Sequence, residues 1–104
     1  MSDPGPVFHA LADPTRRHVV ERLAERGSVT ATEVAGDLPM TRQAVAKHLA
    51  ALAEAGLVEA RREGRETRYR LEAEPLAGAM EWMAAVGGRW DARLAALQKR
   101  VSAR

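Results

Sequence analysis

Gln43, Lys47 and Arg42 lie close together in the run Met40-Thr-Arg-Gln-Ala-Val-Ala-Lys-His-Leu49. All three are of the types that read base edges in duplex DNA. Glutamine can bond adenine bidentately, and arginine or lysine can bond guanine. In a helix, Val45, Leu49 and Leu52 recur at i, i+4 and i+7 and form one buried face. The opposite face carries Gln43, Ala46, Lys47 and Ala50. It holds no large apolar residue, so it can lie against a wet, polar partner. Gln43 and Lys47 are the candidates for base contacts, and Arg42, at the flank, serves base or backbone. Thr41 is the N-cap candidate, and its hydroxyl and the nearby amides can meet a phosphate. His48 falls beside Thr41 and Ala44 at the margin of the buried face, where an interfacial histidine and a DNA contact are both open readings.

A basic hairpin follows this helix. Gly56 is a stop signal, and Leu57–Arg62 and Glu66–Leu71 read as strands around Glu63-Gly64-Arg65. Thr67, Tyr69 and Leu71 alternate with Glu66, Arg68 and Arg70, so one face can pack while the other stays charged. From Arg61 to Arg70 there are five arginines against two glutamates. Alone, such a run is a solvated face. Directly after a recognition-type helix it points to phosphates. Arg61, Arg62, Arg65 and Arg68 are the candidate contacts, with Arg65 at the turn foremost. Arg16 and Arg17 stay open between a phosphate and an intramolecular pair with Asp13 or Glu21.

Several elements must hold these residues in place. Residues 1–5 read as a frayed lead, and Val7, Phe8 and Leu11 share a face of a short first helix. Asp13-Pro14 is an N-cap followed by proline at the first helical position. The second helix, striped by Val19, Val20, Leu23 and Ala24, runs to about Arg26 and ends at Gly27. Thr30-Ala-Thr-Glu33 is a capping box opening a third helix with Val34, Ala35 and Leu38, and Pro39 closes it. Two helices joined by the tight Leu-Pro-Met turn make a helix-turn-helix pattern, with Thr41–Ala55 as the second helix. A last helix over 75–102 carries Leu76, Met80, Met83, Gly87, Trp90, Leu94, Leu97 and Val101 in alternating steps of four and three, a heptad seam widened by Trp82 and Val86. A seam this long reads as a dimer contact, with a fold-back onto the chain's own domain as the alternative. Gly87-Gly88 interrupts it, each glycine costing about 1 kcal/mol relative to alanine.

Composition narrows the classes. With 104 residues and a 46 % apolar share, this is one domain, 1–104, comprising a core at 6–72 with a wing at 57–71 and the terminal helix. There is no cysteine, hence no disulfide, thiolate nucleophile or thiolate metal site. No apolar run is long enough for a membrane span, and the N-terminus lacks a signal layout, so the cytoplasm is expected. No phosphate-binding glycine loop or Ser-His-Asp spacing is present, so an enzyme is not expected.

Four motifs in order, Phe8-His-Ala-Leu-Ala-Asp-Pro-Thr-Arg-Arg17, Met40 to Leu49, Glu54-Ala-Gly-Leu-Val58 and the Gly64-Arg65 to Tyr69 hairpin, resemble the ArsR-type winged helix-turn-helix repressors over Val7 to Leu71. The resemblance implies a mainly α fold with a small β-hairpin: four helices, two strands and a long C-terminal dimerisation helix. It implies a homodimer in which the first and last helices pair, through Phe8 and the seam from Leu76 to Leu97. It also implies a fourth helix in the major groove, a wing on flanking backbone, and repression by covering a palindromic operator. The chain departs from metal-sensing members. Thr30, Ala31 and Thr32 occupy the thiolate positions, and the terminal helix has no histidine. His9, His18 and His48 fall on different helices, so no metal or cofactor is expected and the inducer is unknown. The rival reading is a winged-helix protein-interaction module without DNA binding.

Overall fold

Local capping chemistry sets most of the helix boundaries in the computed structural model, which describes residues 3–102. The Asp13 carboxylate accepts the Thr15 and Arg16 amides, at 2.8 and 3.3 Å, and so separates α1 (Gly5–Leu11) from α2 (Pro14–Arg26). Gly27, at φ +82°, ends α2 in a conformation that costs other residues strain. The capping box forms as expected: the Thr30 hydroxyl accepts the Glu33 amide at 3.1 Å and Glu33 accepts the Thr30 amide at 2.8 Å. It opens α3 (Ala31–Asp37). Thr41 caps α4 (Arg42–Glu54) by accepting the Ala44 amide at 3.1 Å. The end of α4 is a Schellman closure, in which the Leu57 amide reaches Leu52 O at 2.9 Å and the Gly56 amide reaches Ala53 O at 3.0 Å. Of the lead expected to fray, residues 1 and 2 lie outside the described residues. Gly5 already begins α1, its amide held by Asp3 Oδ1 at 3.0 Å.

The wing has one strand more than its two-stranded reading. A short β1 (Ser28–Val29) pairs antiparallel with β3 (Glu66–Leu71), which also pairs with β2 (Val58–Glu63), giving the order β1-β3-β2. Two residues cannot display an alternation, so β1 leaves no periodic signal. Glu63 pairs with Glu66 around a two-residue turn. Gly64 has φ +63° and Arg65 has a negative φ, the pattern of a type II′ hairpin turn.

Val19, Leu23, Val29, Val34, Val45, Leu49, Leu52 and Leu57 are fully buried, with Val7, Ala10, Val58 and Ala79 almost so, in one cluster fed by every helix. This core fixes the α3–α4 pair against α2, and truncating Leu49 to alanine should cost about 2–5 kcal/mol.

The terminal helix α5 (Ala73–Ser102) starts two residues before Pro75, because proline is tolerated in a first turn. It passes through Gly87 and Gly88 without a break, as the continuous helix expected over 75–102 requires. Its thirty residues span about 45 Å. Among the described residues, its first turns are what pack on the rest of the chain. Ala79 is buried, Leu76 packs on the core, and the Trp82 ring meets Phe8 edge-on at 5.5 Å. Phe8 and Leu76, expected between subunits, are thus already half-buried within the chain. The remainder projects, so the molecule measures 69 × 31 × 20 Å with a radius of gyration of 18.6 Å. A compact chain of this length would have about 13 Å.

Candidate nucleic-acid interface

Burial of Val45, Leu49 and Leu52 turns the opposite face of α4 to solvent, and Arg42, Gln43, Lys47 and Ala50 are all exposed there. Among the described residues no ion pair engages Arg42, Lys47 or Arg65. Thr41 uses one hydroxyl lone pair on its own cap, which leaves the O–H free to donate outward. Beside this face, Arg42 and Ala46 of α4, Thr30 to Glu33 at the start of α3, and Arg62, Arg65, Glu66, Thr67 and Tyr69 of the wing line a cleft of about 510 Å³. Three guanidinium groups therefore border one groove between helix and hairpin. Thr32, Thr67 and Tyr69 also line it, although the alternation in β3 assigns the last two only to the packed face.

The strand register divides the wing arginines. Arg62 stands opposite Thr67, on the face that carries Val58, Ala60, Tyr69 and Leu71, and its Nε donates to Gly64 O at 3.1 Å. Arg65 occupies the turn, exposed. Arg61 stands opposite Arg68 on the other face, where it pairs with Glu59 at 3.3 Å. Arg68 departs from its expected role as a free phosphate contact. Its guanidinium donates to Ser28 Oγ at 2.9 Å, Glu66 Oε2 at 3.1 Å and Glu33 Oε1 at 3.2 Å. These partners come from three elements brought together by β1–β3 pairing, which no local pattern shows.

Arg17 makes no ion pair with Asp13 or Glu21 among the described residues. It donates to Leu11 O at 2.6 Å and Ala12 O at 3.3 Å, closing the C-terminus of α1. Arg16 lies close enough to Asp13 to stabilise its charge. His48 is half-buried, with Nδ1 shielded and unpaired among the described residues. Partial burial pushes the Asp13 carboxyl up, but the Thr15 and Arg16 amides, with His48 and Arg16, outweigh it and hold the group below its usual 3.8. The Thr30 amide, countered by partial burial and reinforced by Arg68, holds Glu33 below its usual 4.5. Among the described residues no three His, Cys, Asp or Glu side chains gather as metal ligands, and no helix is long and apolar enough to cross a membrane.

A mainly helical chain whose capped, outward-facing α4 is followed by a hairpin wing, completed by β1 to a three-stranded sheet, defines the winged helix-turn-helix class. A helix-turn-helix domain family model matches residues 11–61. The helix-turn-helix transcriptional regulator YuzN of Bacillus subtilis is 42 % identical over 76 residues, 67 % of this chain and 83 % of that protein. A solved ArsR-like transcriptional regulator from Rhodococcus is 42 % identical, with a TM-score of 0.79 over 92 % of this chain and 90 % of its own. A homodimeric winged helix-turn-helix DNA-binding domain from Mycobacterium bovis is 32 % identical, with a TM-score of 0.65 over 81 % of this chain and 77 % of its own. The chain belongs to the ArsR family of helix-turn-helix transcriptional regulators.

Proposed function

We propose that this chain is a homodimeric repressor that binds a palindromic operator, reading bases with Gln43 and Lys47 of α4. Arg42, Thr41 and the wing residues Arg62 and Arg65 hold the flanking phosphates, and Arg61 lies on the far face of the wing. The observation that carries the reading is the outer face of α4, which is polar, exposed and bordered by the arginine-lined cleft. An interaction module would present apolar or acidic residues there. Dimerisation is supported by the exposed seam of α5 and by the homodimeric assembly of the Mycobacterium bovis neighbour. Two α4 helices related by a two-fold axis would enter successive major grooves about 34 Å apart. A protein seated this way on a promoter obstructs polymerase, which is repression without further chemistry.

Gln43→Ala tests the base-reading role. Loss of a bidentate adenine contact should weaken operator binding by about 1–3 kcal/mol, with much less effect on random duplex. Equal losses on both, in fluorescence-anisotropy titrations at fixed salt, would remove Gln43 from base readout.

A further inference from the structure

Among the wing arginines, Arg68 makes the most internal contacts and is the least exposed. Its side chain retains 26 % exposure, against 61 % for Arg61. It gathers Ser28 of β1, Glu66 of its own strand, and Glu33 in the first turn of α3. The Glu33 oxygen that meets Arg68 is the one that accepts the Thr30 amide in the capping box. One carboxylate therefore closes the N-terminus of α3 and anchors the hairpin. The helix it caps packs on α4. The guanidinium fork thus spans the joint between the wing and the helix pair that carries Gln43 and Lys47.

We propose that Arg68 is a positioning residue, a strut through Glu33 and Ser28 that sets the angle between wing and recognition helix and so lets both meet one duplex. It does not contact phosphate. The proposal rests on the DNA-binding reading and assigns Arg68 a role distinct from that of Arg65. A flat two-stranded hairpin anchored only by the ladder can pivot about its base. Tying β3 to the α3 cap removes that freedom before DNA arrives, and preorganisation of this kind raises affinity without adding a contact to the ligand.

Counterion release separates the two roles. A phosphate contact contributes about one unit to the slope of log K against log salt, and a strut contributes none. The test is a salt titration of the wild-type protein, Arg68→Ala and Arg65→Ala on one duplex. Amide hydrogen exchange of β1 and β3 in the free proteins accompanies it. Arg68→Ala should weaken binding about threefold or more at unchanged slope, while exchange in β1 and β3 accelerates. Arg68→Lys keeps the charge and the stem but loses the fork. It should weaken binding and speed exchange like Arg68→Ala, and it supplies the affinity and exchange readings if the alanine variant does not fold. A slope lowered by about one unit in Arg68→Ala, or full affinity in either variant, overturns the proposal. If the wild-type protein binds no duplex, the DNA reading fails. The exchange data then decide the strut separately: faster exchange in the variants upholds it and unchanged exchange rejects it.

Discussion

The helix-turn-helix half of this molecule and the outer half of α5 solve opposite problems. Around α2, α3 and α4 the large apolar side chains are buried or half-buried and most of the charged ones face outward. That half completes its own core. From Met80 onward, α5 exposes Met80, Trp82, Met83, Val86, Trp90, Leu94, Leu97 and Val101, with Trp90 60 % and Leu97 56 % exposed. Soluble monomers rarely present so continuous an apolar surface. One half leaves a polar, arginine-bordered face open, and the other leaves an apolar stripe uncovered in the single chain. The two needs fit a single design if joining two seams places two α4 faces on one duplex.

The largest expected effect breaks the apolar half. Leu94→Asp puts a charge into the seam and should shift the mass in light scattering from dimer to monomer. Loss of the second half-site should lower operator affinity on the order of 100-fold. A retained dimer mass would place the interface elsewhere. Thermal unfolding of the variant should barely change for the monomeric core, since Leu94 touches none of it.

A smaller effect sharpens the polar half. Arg65→Ala should weaken all duplexes alike, by less than about tenfold, and lower the salt slope by about one unit. An unchanged slope would take Arg65 off the phosphate list.

The smallest effect concerns the caps that hold that half together. Asp13 and Glu33 both have carboxyls held below their ordinary values by amide hydrogen bonds and neighbouring cations. Their contribution is present above the unfolded pKa of about 4 and is lost as the pH falls through the lower folded value. The melting temperature should therefore be steady near neutrality and fall below about pH 4. Asp13→Asn with Glu33→Gln should flatten that acid limb. An unaltered limb in the double variant would show that other carboxylates control it.

The same division explains what was legible in the sequence. Asp13-Pro14, the Thr30–Glu33 box, Thr41 and Gly56 act through bonds a few residues long, so their spacing reveals them. The face of α4 follows from its 3.6-residue period alone. The internal bonds of Arg68 leave no mark in the sequence because its partners Ser28 and Glu33 lie 40 and 35 positions away. Its chemistry exists only once β1 pairs with β3, and β1 is too short to announce itself. The packing of Phe8 and Leu76 within the chain is tertiary, α1 against α5, so the apolar spacing of α5 alone does not show it. Gly87 and Gly88 interrupt the apolar seam but not the helix expected over 75–102, because two costs of about 1 kcal/mol spread over thirty residues do not end a helix.

Selection of bound duplexes from a random library by the purified protein tests most directly whether the α4 face reads bases as a two-fold pair. The expected result is an inverted repeat whose half-sites lie about one helical turn apart, with enrichment lost in Gln43→Ala and in Leu94→Asp. A bound pool no different from the input, or a motif unaffected by both substitutions, would contradict it.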